Sequence, residues 1–294
     1  MQALSAECIG YLVPAANFDG TVHSVFARSC NIACGKSLLT VAALDLGDGP
    51  TTLRLGRHAP VDLRLHFRPG DRVVCQEGFA LSRGVALHLA DATVWRPAPL
   101  RPFVPAARIT ANMRFADTAL ARHRRTHSSV IDREGGTVLA GLAQACRELD
   151  VERAWSLVER MVGWGEGLTP AGDDVLVGWC AALDARASDH DNRMRFLREF
   201  SAAIVARARR TTPIAAHYLR LAAQGHFNAD VARLRDALLC EHDLACVKHA
   251  LADALGVGAT SGADMVTGMI AGLSAWSWER PGLDSTLALA AARA

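Results

Sequence analysis

RPAPLRPFVP, from Arg96 to Pro105, divides the chain. Its four prolines (Pro97, Pro99, Pro102, Pro105) fix φ and remove backbone donors, so the stretch is an extended connector and not helix. The residues before it read as strands. Short apolar runs at His23-Ser24-Val25-Phe26, Leu38 to Leu44, Leu53 to Leu55, Val61 to Phe67 and Arg72 to Cys75 are separated by turn sequences such as Gly47-Asp48-Gly49-Pro50 and Arg68-Pro69-Gly70-Asp71. Val61 to Phe67 alternates apolar and polar, the pattern of a strand with one buried face. Six to eight such strands predict a small barrel or sandwich. The residues after the connector follow the helical period: Val151, Ala154, Trp155, Val158, Met161 and Val162; Phe196, Phe200, Ile204 and Ala208; Val231, Leu234, Leu238 and Leu239. Thr212-Pro213 reads as an N-cap with proline at the first helical position. The expected fold is therefore α+β: a mostly-β domain over residues 1–97, a connector over 98–107, and an all-helical domain of eight to ten helices over 108–294.

Composition narrows the class. Of 294 residues, half are hydrophobic and 21% charged, an ordinary globular balance. The formal net charge of +2 argues for neither a nucleic-acid nor a membrane partner. The start, MQALSAECIG, lacks the basic n-region and apolar core of a secretory signal, and no apolar run is long enough to span a bilayer. Eight scattered cysteines without a CxxC pair point to buried thiols in a reducing cytoplasm. Cys30 and Cys34 near His23 have no fourth ligand at zinc-like spacing, which favours a core role. The basic runs Arg122-His123-Arg124-Arg125 and Arg207-Ala208-Arg209-Arg210 read as solvated helix faces, the second also touching a motif below.

Two stretches read almost alike: GLTPAGDDVLVG from Gly167 to Gly178, and GATSGADMVTG from Gly258 to Gly268. With a one-residue gap after Pro170 they share Gly167/Gly258, Thr169/Thr260, Gly172/Gly262, Asp174/Asp264 and Gly178/Gly268. Each is a polar loop running into an apolar segment, the chemistry of a helix N-terminus whose free amides can hold an anion. In the first copy Thr169 can cap and Pro170 can start the helix, while Gly167 and Gly172 let backbone approach a ligand. Asp173 and Asp174 then fall in the first turn, where they either complement the helix dipole or orient a substrate amide, an ammonium group or a hydrated Mg²⁺. In the second copy Ser261 and Asp264 fit the S-x-x-D capping pattern, and Thr260, Ser261 and Gly262 repeat the loop chemistry. Arg207 and Arg210, placed before Thr212, offer forks for carboxylate or phosphate, or else complement their own helix dipole. His217 fits a satisfied structural histidine better than a site residue, and Tyr218, His23, Ser24 and Asn31 are polar groups that could reach the same pocket. No Walker loop, G-x-S-x-G elbow or H-E-x-x-H pair is present.

These residues also carry a resemblance. Gly165-x-Gly167-Leu168-Thr169-Pro170-Ala171-Gly172-Asp173-Asp174 with Gly178, then Thr212-Pro213 with Tyr218-Leu219, then Thr260-Ser261-Gly262-x-Asp264 with Gly268, together with Val22 to Phe26 and Asn31-Ile32, resemble a bacterial family long catalogued as a domain of unknown function. Its best-known relative is the small subunit of a heteromeric oxamate carbamoyltransferase of allantoin and purine breakdown. The resemblance implies carbamoyl transfer between oxamate and carbamoyl phosphate, in company with two larger, unrelated subunits. For such transfer Arg207, Arg209 or Arg210 would neutralise phosphate and the glycine loops would donate N–H bonds, while Asp173 and Asp174 orient an amide nitrogen or metal. Ala171 stands where the family commonly has Ser, and Ala259 where it has His, so those two positions lack a hydroxyl and an imidazole. The competing readings are a non-catalytic assembly or regulatory subunit, and a pair of purely structural helix joints.

Overall fold

The computed structural model describes residues 2–57, 62–188 and 190–276. Nine strands come first: β1 (Gln2–Gly10), β2 (Asn17–Val25), β3 (Ser29–Cys34), β4 (Ser37–Ala42), β5 (Thr52–Leu55), β6 (Arg72–Gln76), β7 (Phe79–Ser82), β8 (Val85–His88) and β9 (Thr93–Trp95). Alternation drives them inward on one face. Phe18, Gly20 and Val22 of β2 are buried between exposed neighbours, and Ile32, Val41, Leu53, Leu55, Val73 and Leu87 join the same core. The order β5-β4-β3-β2-β6-β7-β8-β1 closes on itself through β1–β5 pairing, giving an eight-strand barrel. β1 pairs with β8 over Gln2–Ser5 and with β9 over Cys8–Gly10, so the ninth strand continues the eighth along one edge.

One expected strand is not there. Across Val61 to Phe67 the chain makes a 3₁₀ turn at Leu63–Leu65, which Asp62 caps by accepting from the Arg64 amide; Val61 itself lies outside the described residues. Leu63 and Phe67, four positions apart, are buried, whereas Leu65 is 79% exposed. A one-sided turn can bury i and i+4 from the same alternating sequence that a strand would bury at i and i+2.

Ten helices follow among the described residues: α1 (Ala106–His123), α2 (Val130–Glu134), α3 (Gly136–Glu148), α4 (Val151–Met161), α5 (Ala171–Ala187), α6 (Asp191–Arg207), α7 (Pro213–Ala222), α8 (Ala229–Cys240), α9 (Leu244–Leu255) and α10 (Ser261–Ala275). The part of the helical expectation beyond residue 276 lies outside the described residues. Local signals set several starts. Asp150 accepts from Arg153 N to cap α4, Thr212 accepts from Ala215 N with Pro213 behind it to cap α7, and Ser129 with Asp132 forms a capping box on α2. Together the barrel and the helical body make the fold α+β.

α5 and α10 form the centre of the helical body. Thirteen of the 17 residues of α5 are buried, so other elements surround it on all sides. Small residues let the two helices touch backbone to backbone. A Cβ on Gly178 would stand 1.9 Å from Met265 O, and one on Gly268 would stand 1.9 Å from Val175 O. The contact is reciprocal, and Gly272 meets Trp179 one turn further along, so the helices run side by side with both N-termini at the same end. The repeated sequence is thus an approximate internal two-fold, with Val175/Met265 and Gly178/Gly268 as its paired contacts.

Polar ties join this body to the barrel. His217 Nδ1 accepts from Leu38 N at 3.2 Å, which leaves Nε2–H to donate to Thr51 Oγ1 at 3.0 Å. Burial lowers the pKa of His217 to about 4, so it is a neutral structural bridge. Tyr11 OH lies 2.8 Å from His226 Nδ1, and Ala229 N donates to Asp48 O.

The crossing yields a direct test. Gly268→Ala should lower stability by ~2–3 kcal/mol, because the methyl meets a helix carbonyl that cannot move aside. Gly136→Ala, at an exposed first helical position with open space around its Cβ, should be neutral or stabilise by up to ~1 kcal/mol. Urea denaturation of both variants measures the difference, and equal stabilities would rule out the close crossing.

Candidate functional site

Because α5 and α10 start at the same end, the two repeated loops meet. Thr169 Oγ1 and Ser261 Oγ lie 2.8 Å apart. They border a cavity of about 380 Å³ between the helical body and the barrel. Phe26, Ser29, Asn31 and Thr40 form its barrel wall, while Thr169, Asp174, Tyr218, Ser261 and Gly262 line the helical side. The barrel residues are pre-set by hydrogen bonds: Asn31 donates to Ser24 Oγ at 3.0 Å and accepts from Thr40 Oγ1 at 2.8 Å. A larger cleft of about 960 Å³ shares Ser29, Thr40, Tyr218 and Asn228 with this cavity. Its lining includes Arg54, Arg96 and Arg233 together with Asp45, Asp48, Asp230, Asp236 and Asp253. Arg54 is bonded to Asp48 at 2.7 Å and Arg233 to Asp230 at 2.5 Å.

Asp174 lines the inner cavity together with the ionisable groups of Tyr218, His226 and Asp230. Burial pushes its carboxyl well above the usual range; the Ser261 and Thr169 hydroxyls pull it down, and the charges of Asp264 and Asp173 push it up. Its Oδ2 is sealed from solvent and has no hydrogen-bond partner. Tyr218 is raised by burial, held back by bonds to Thr40 and Asn228, and raised again by the Asp174 charge.

The other expected site residues divide sharply. Asp173, adjacent in sequence, does not line the cavity. It accepts from Gly163 N at 2.9 Å and from the Thr211 hydroxyl, tying the loop before α5 to the segment before α7. Burial raises its pKa to about 6. Asp264 is fully buried and does not line the cavity either. Its Oδ1 accepts from Arg124 Nη2 at 2.7 Å and from Ser129 Oγ at 2.6 Å. The S-x-x-D cap expected at Ser261 does not form, because Ser261 is already inside the helix and Thr260 occupies the N-cap position without a side-chain cap. Thr260 instead bonds Asp264. Thr169 likewise turns to Ser261 rather than capping, and Pro170 takes the N-cap of α5.

Two of the glycines serve packing rather than ligand approach. Cβ atoms on Gly172 and Gly262 would meet Met161 O at 2.1 Å and Ala254 O at 1.9 Å. Their amides are occupied too, donating to Trp164 O and Val257 O. Gly167 has φ +97° with open space around it, a turn requirement. Arg207 and Arg210 are not brought to the cavity. Both pair with Glu159, and Arg207 also stacks on Trp155. A carboxylate on α4 captures them before they can reach the loops. Thr212 caps α7 and donates to Leu168 O.

The adjacent carboxylates therefore do not make a Mg²⁺ pair, since Asp173 points into its own loop and Asp264 is held by a guanidinium. Among the described residues no group of three or more His, Cys, Asp or Glu side chains could hold a metal ion. Cys30 is buried in the barrel core, with its thiol pushed up to about 12. No helix of the described residues is long and apolar enough to cross a membrane. Several site-building residues escaped the sequence reading, His226, Asn228 and Asp230 of the cavity lining among them. Ser129 carried a visible S-x-x-D signal with Asp132, whereas Arg124 sat in a run that reads as solvated, and Ser29 and Thr40 showed no distinguishing pattern.

Two family models match the chain: the AllH family N-terminal domain over residues 2–94, and oxamate carbamoyltransferase subunit AllH over residues 161–273. Together they take in the barrel, α5, α7 and α10, and the chain belongs to the AllH family. No solved structure matches it.

Asp173 generates a pH prediction. Its folded pKa of about 6 lies above the ordinary carboxyl value, so its stabilising contribution is present below pH ~4 and lost as pH rises to about 6. Asn can accept from Gly163 N and donate to Thr211 without a buried charge. Asp173→Asn should therefore flatten the fall in thermal stability between those limits. Melting curves across that range check it, and an unchanged slope would remove Asp173 as its source.

Proposed function

We propose that the chain is a subunit of a carbamoyl-transfer enzyme, oxamate carbamoyltransferase-like, and that it binds a small anionic substrate between the barrel and the paired N-termini of α5 and α10. The observation that carries this reading is the meeting of the two repeated loops at Thr169 and Ser261, on the rim of a cavity that also takes in Asp174 and Tyr218. A pocket with fixed hydroxyl and amide dipoles suits a small polar substrate, because these groups need no reorganisation to receive it. Oxamate and carbamoyl phosphate each combine an amide with an anionic end. The inner cavity offers acceptors and hydroxyls for the amide, and the adjoining cleft offers the guanidinium groups of Arg54, Arg96 and Arg233 for the anion. Asp174 would orient the substrate; Asp173 would hold the loop that carries Thr169.

A specific observation favours a division of labour with other subunits. No Lys or Arg lines the inner cavity, and Arg54 and Arg233 in the cleft are already engaged with aspartates. A phosphate dianion leaving during transfer needs more positive charge than these residues leave free. The missing groups would come from partner subunits, in a pathway of purine and allantoin nitrogen breakdown. The second reading, an assembly or regulatory subunit that binds the ligand without turning it over, rests on the same shortage.

The test combines the isolated protein with oxamate and carbamoyl phosphate, first alone and then with the larger subunits of the complex. Binding without turnover by the isolated chain, and turnover on reconstitution, is the expected result. Turnover by the isolated chain would contradict the need for partners. Full activity of the partners without this chain would contradict its catalytic part and leave the regulatory reading.

A further inference from the structure

The internal two-fold sets two carboxylates in equivalent places, and one of them is already occupied. Asp264 and Asp174 share the same chemistry of approach. Each bonds the threonine hydroxyl of its own motif, Thr260 or Thr169, and each bonds one serine hydroxyl. For Asp174 that serine is Ser261, from the opposite motif. Ala171, the counterpart of Ser261, has no hydroxyl to return, and Ser129 supplies one to Asp264 at 2.6 Å. The difference lies in what completes each set. Arg124 Nη2 donates to Asp264 Oδ1 at 2.7 Å and to Thr267 Oγ1 at 3.0 Å, and its Nε lies 3.0 Å from Asp132 Oδ1. Oδ2 of each carboxylate is buried without a partner, but no cation reaches Asp174 among the described residues, and of the two only Asp174 faces the 380 Å³ cavity, whose lining contains no Lys or Arg.

We infer that the cavity takes its ligand by a planar group presenting N–H donors to Asp174, a carboxamide, ureido or guanidinium group, as Arg124 presents its guanidinium to Asp264. This rests on the reading of the cavity as a ligand site and adds its polarity. A carboxylate or phosphate placed against Asp174 would find no cation there and would oppose its ionisation, whereas an N–H donor finds an acceptor in its carboxyl. The anionic end of an oxamate-like molecule then points outward, toward Arg96 in a cleft where Arg54 and Arg233 are paired with Asp48 and Asp230 and where Asp45, Asp236 and Asp253 also lie. The carboxyl that burial has raised also gains an incentive to ionise when the donor arrives, so binding releases a proton and strengthens as pH rises, in a cavity that Tyr218, His226 and Asp230 also line.

Calorimetric titration of the full chain with oxamate, oxalate and methylguanidinium tests this. Oxalate has the size of oxamate but replaces its N–H donors with a second carboxylate. Oxamate should bind about tenfold or more tightly than oxalate, the difference expected for one charge-assisted hydrogen bond gained. Asp174→Asn, which turns an acceptor into a donor, should abolish that preference and any methylguanidinium binding, while thermal melts confirm that it folds. Equal binding of oxamate and oxalate by the natural chain would overturn the inference and leave the substrate reading standing, even if the variant did not fold. Asp174-dependent binding of methylguanidinium with none of oxamate would uphold the inference and overturn that substrate. Binding of none of the three would overturn both.

Discussion

Everything at the site depends on how closely α5 and α10 can approach. With a glycine at each crossing point, a carbonyl of one helix rests against the Cα of the other, at Gly178 on Met265 and at Gly268 on Val175. Such contact exchanges side-chain packing for short-range dispersion and weak Cα–H···O interactions, and it leaves little freedom in the relative position of the helices. Both N-termini are thereby fixed at one end of the body. The hydroxyls of Thr169 and Ser261, on segments far apart in sequence, are brought within hydrogen-bond reach. The barrel then closes over that end, pinned by His217 and Tyr11, and turns a pair of helix starts into a cavity.

The three buried aspartates of the repeats show how differently one residue type is used. A carboxylate removed from water is costly unless its lone pairs are engaged. Asp264 meets that cost with a guanidinium and two hydroxyls, and Asp173 with a backbone amide and the Thr211 hydroxyl. Asp174 has hydroxyls alone, with neither a guanidinium nor a backbone amide. The least compensated of the three is the one that lines the cavity. A local deficit of this kind is what a bound ligand relieves, and in it the structural and functional roles separate.

Much of the fold was legible in sequence because the signals were local. The proline run marks the change from strand to helix, Thr212-Pro213 starts α7, and the apolar period of α4 lies over its buried residues. The repeated motif also pointed correctly to two helix starts that meet. Tertiary partners decided the rest. Val61 to Phe67 alternates like a strand, yet the barrel accepts only Leu63 and Phe67. Arg207 and Arg210 have the chemistry of an anion clamp, but Glu159 on α4 reaches them first. Arg124 looks like its solvated neighbours, and only the fold reveals that it completes Asp264.

The pairing of the two motifs can be measured directly. Thr169→Cys with Ser261→Cys replaces two hydroxyls 2.8 Å apart by two thiols, a separation that needs little movement to form a disulfide. Peptide mapping by mass spectrometry after mild oxidation would distinguish this bridge from the native cysteines. The fold described here predicts a rapid Cys–Cys link between the loops, with oxamate binding lost on oxidation and recovered on reduction. Two thiols that stay free in a folded, oxidised protein would show that the repeated loops do not share a site.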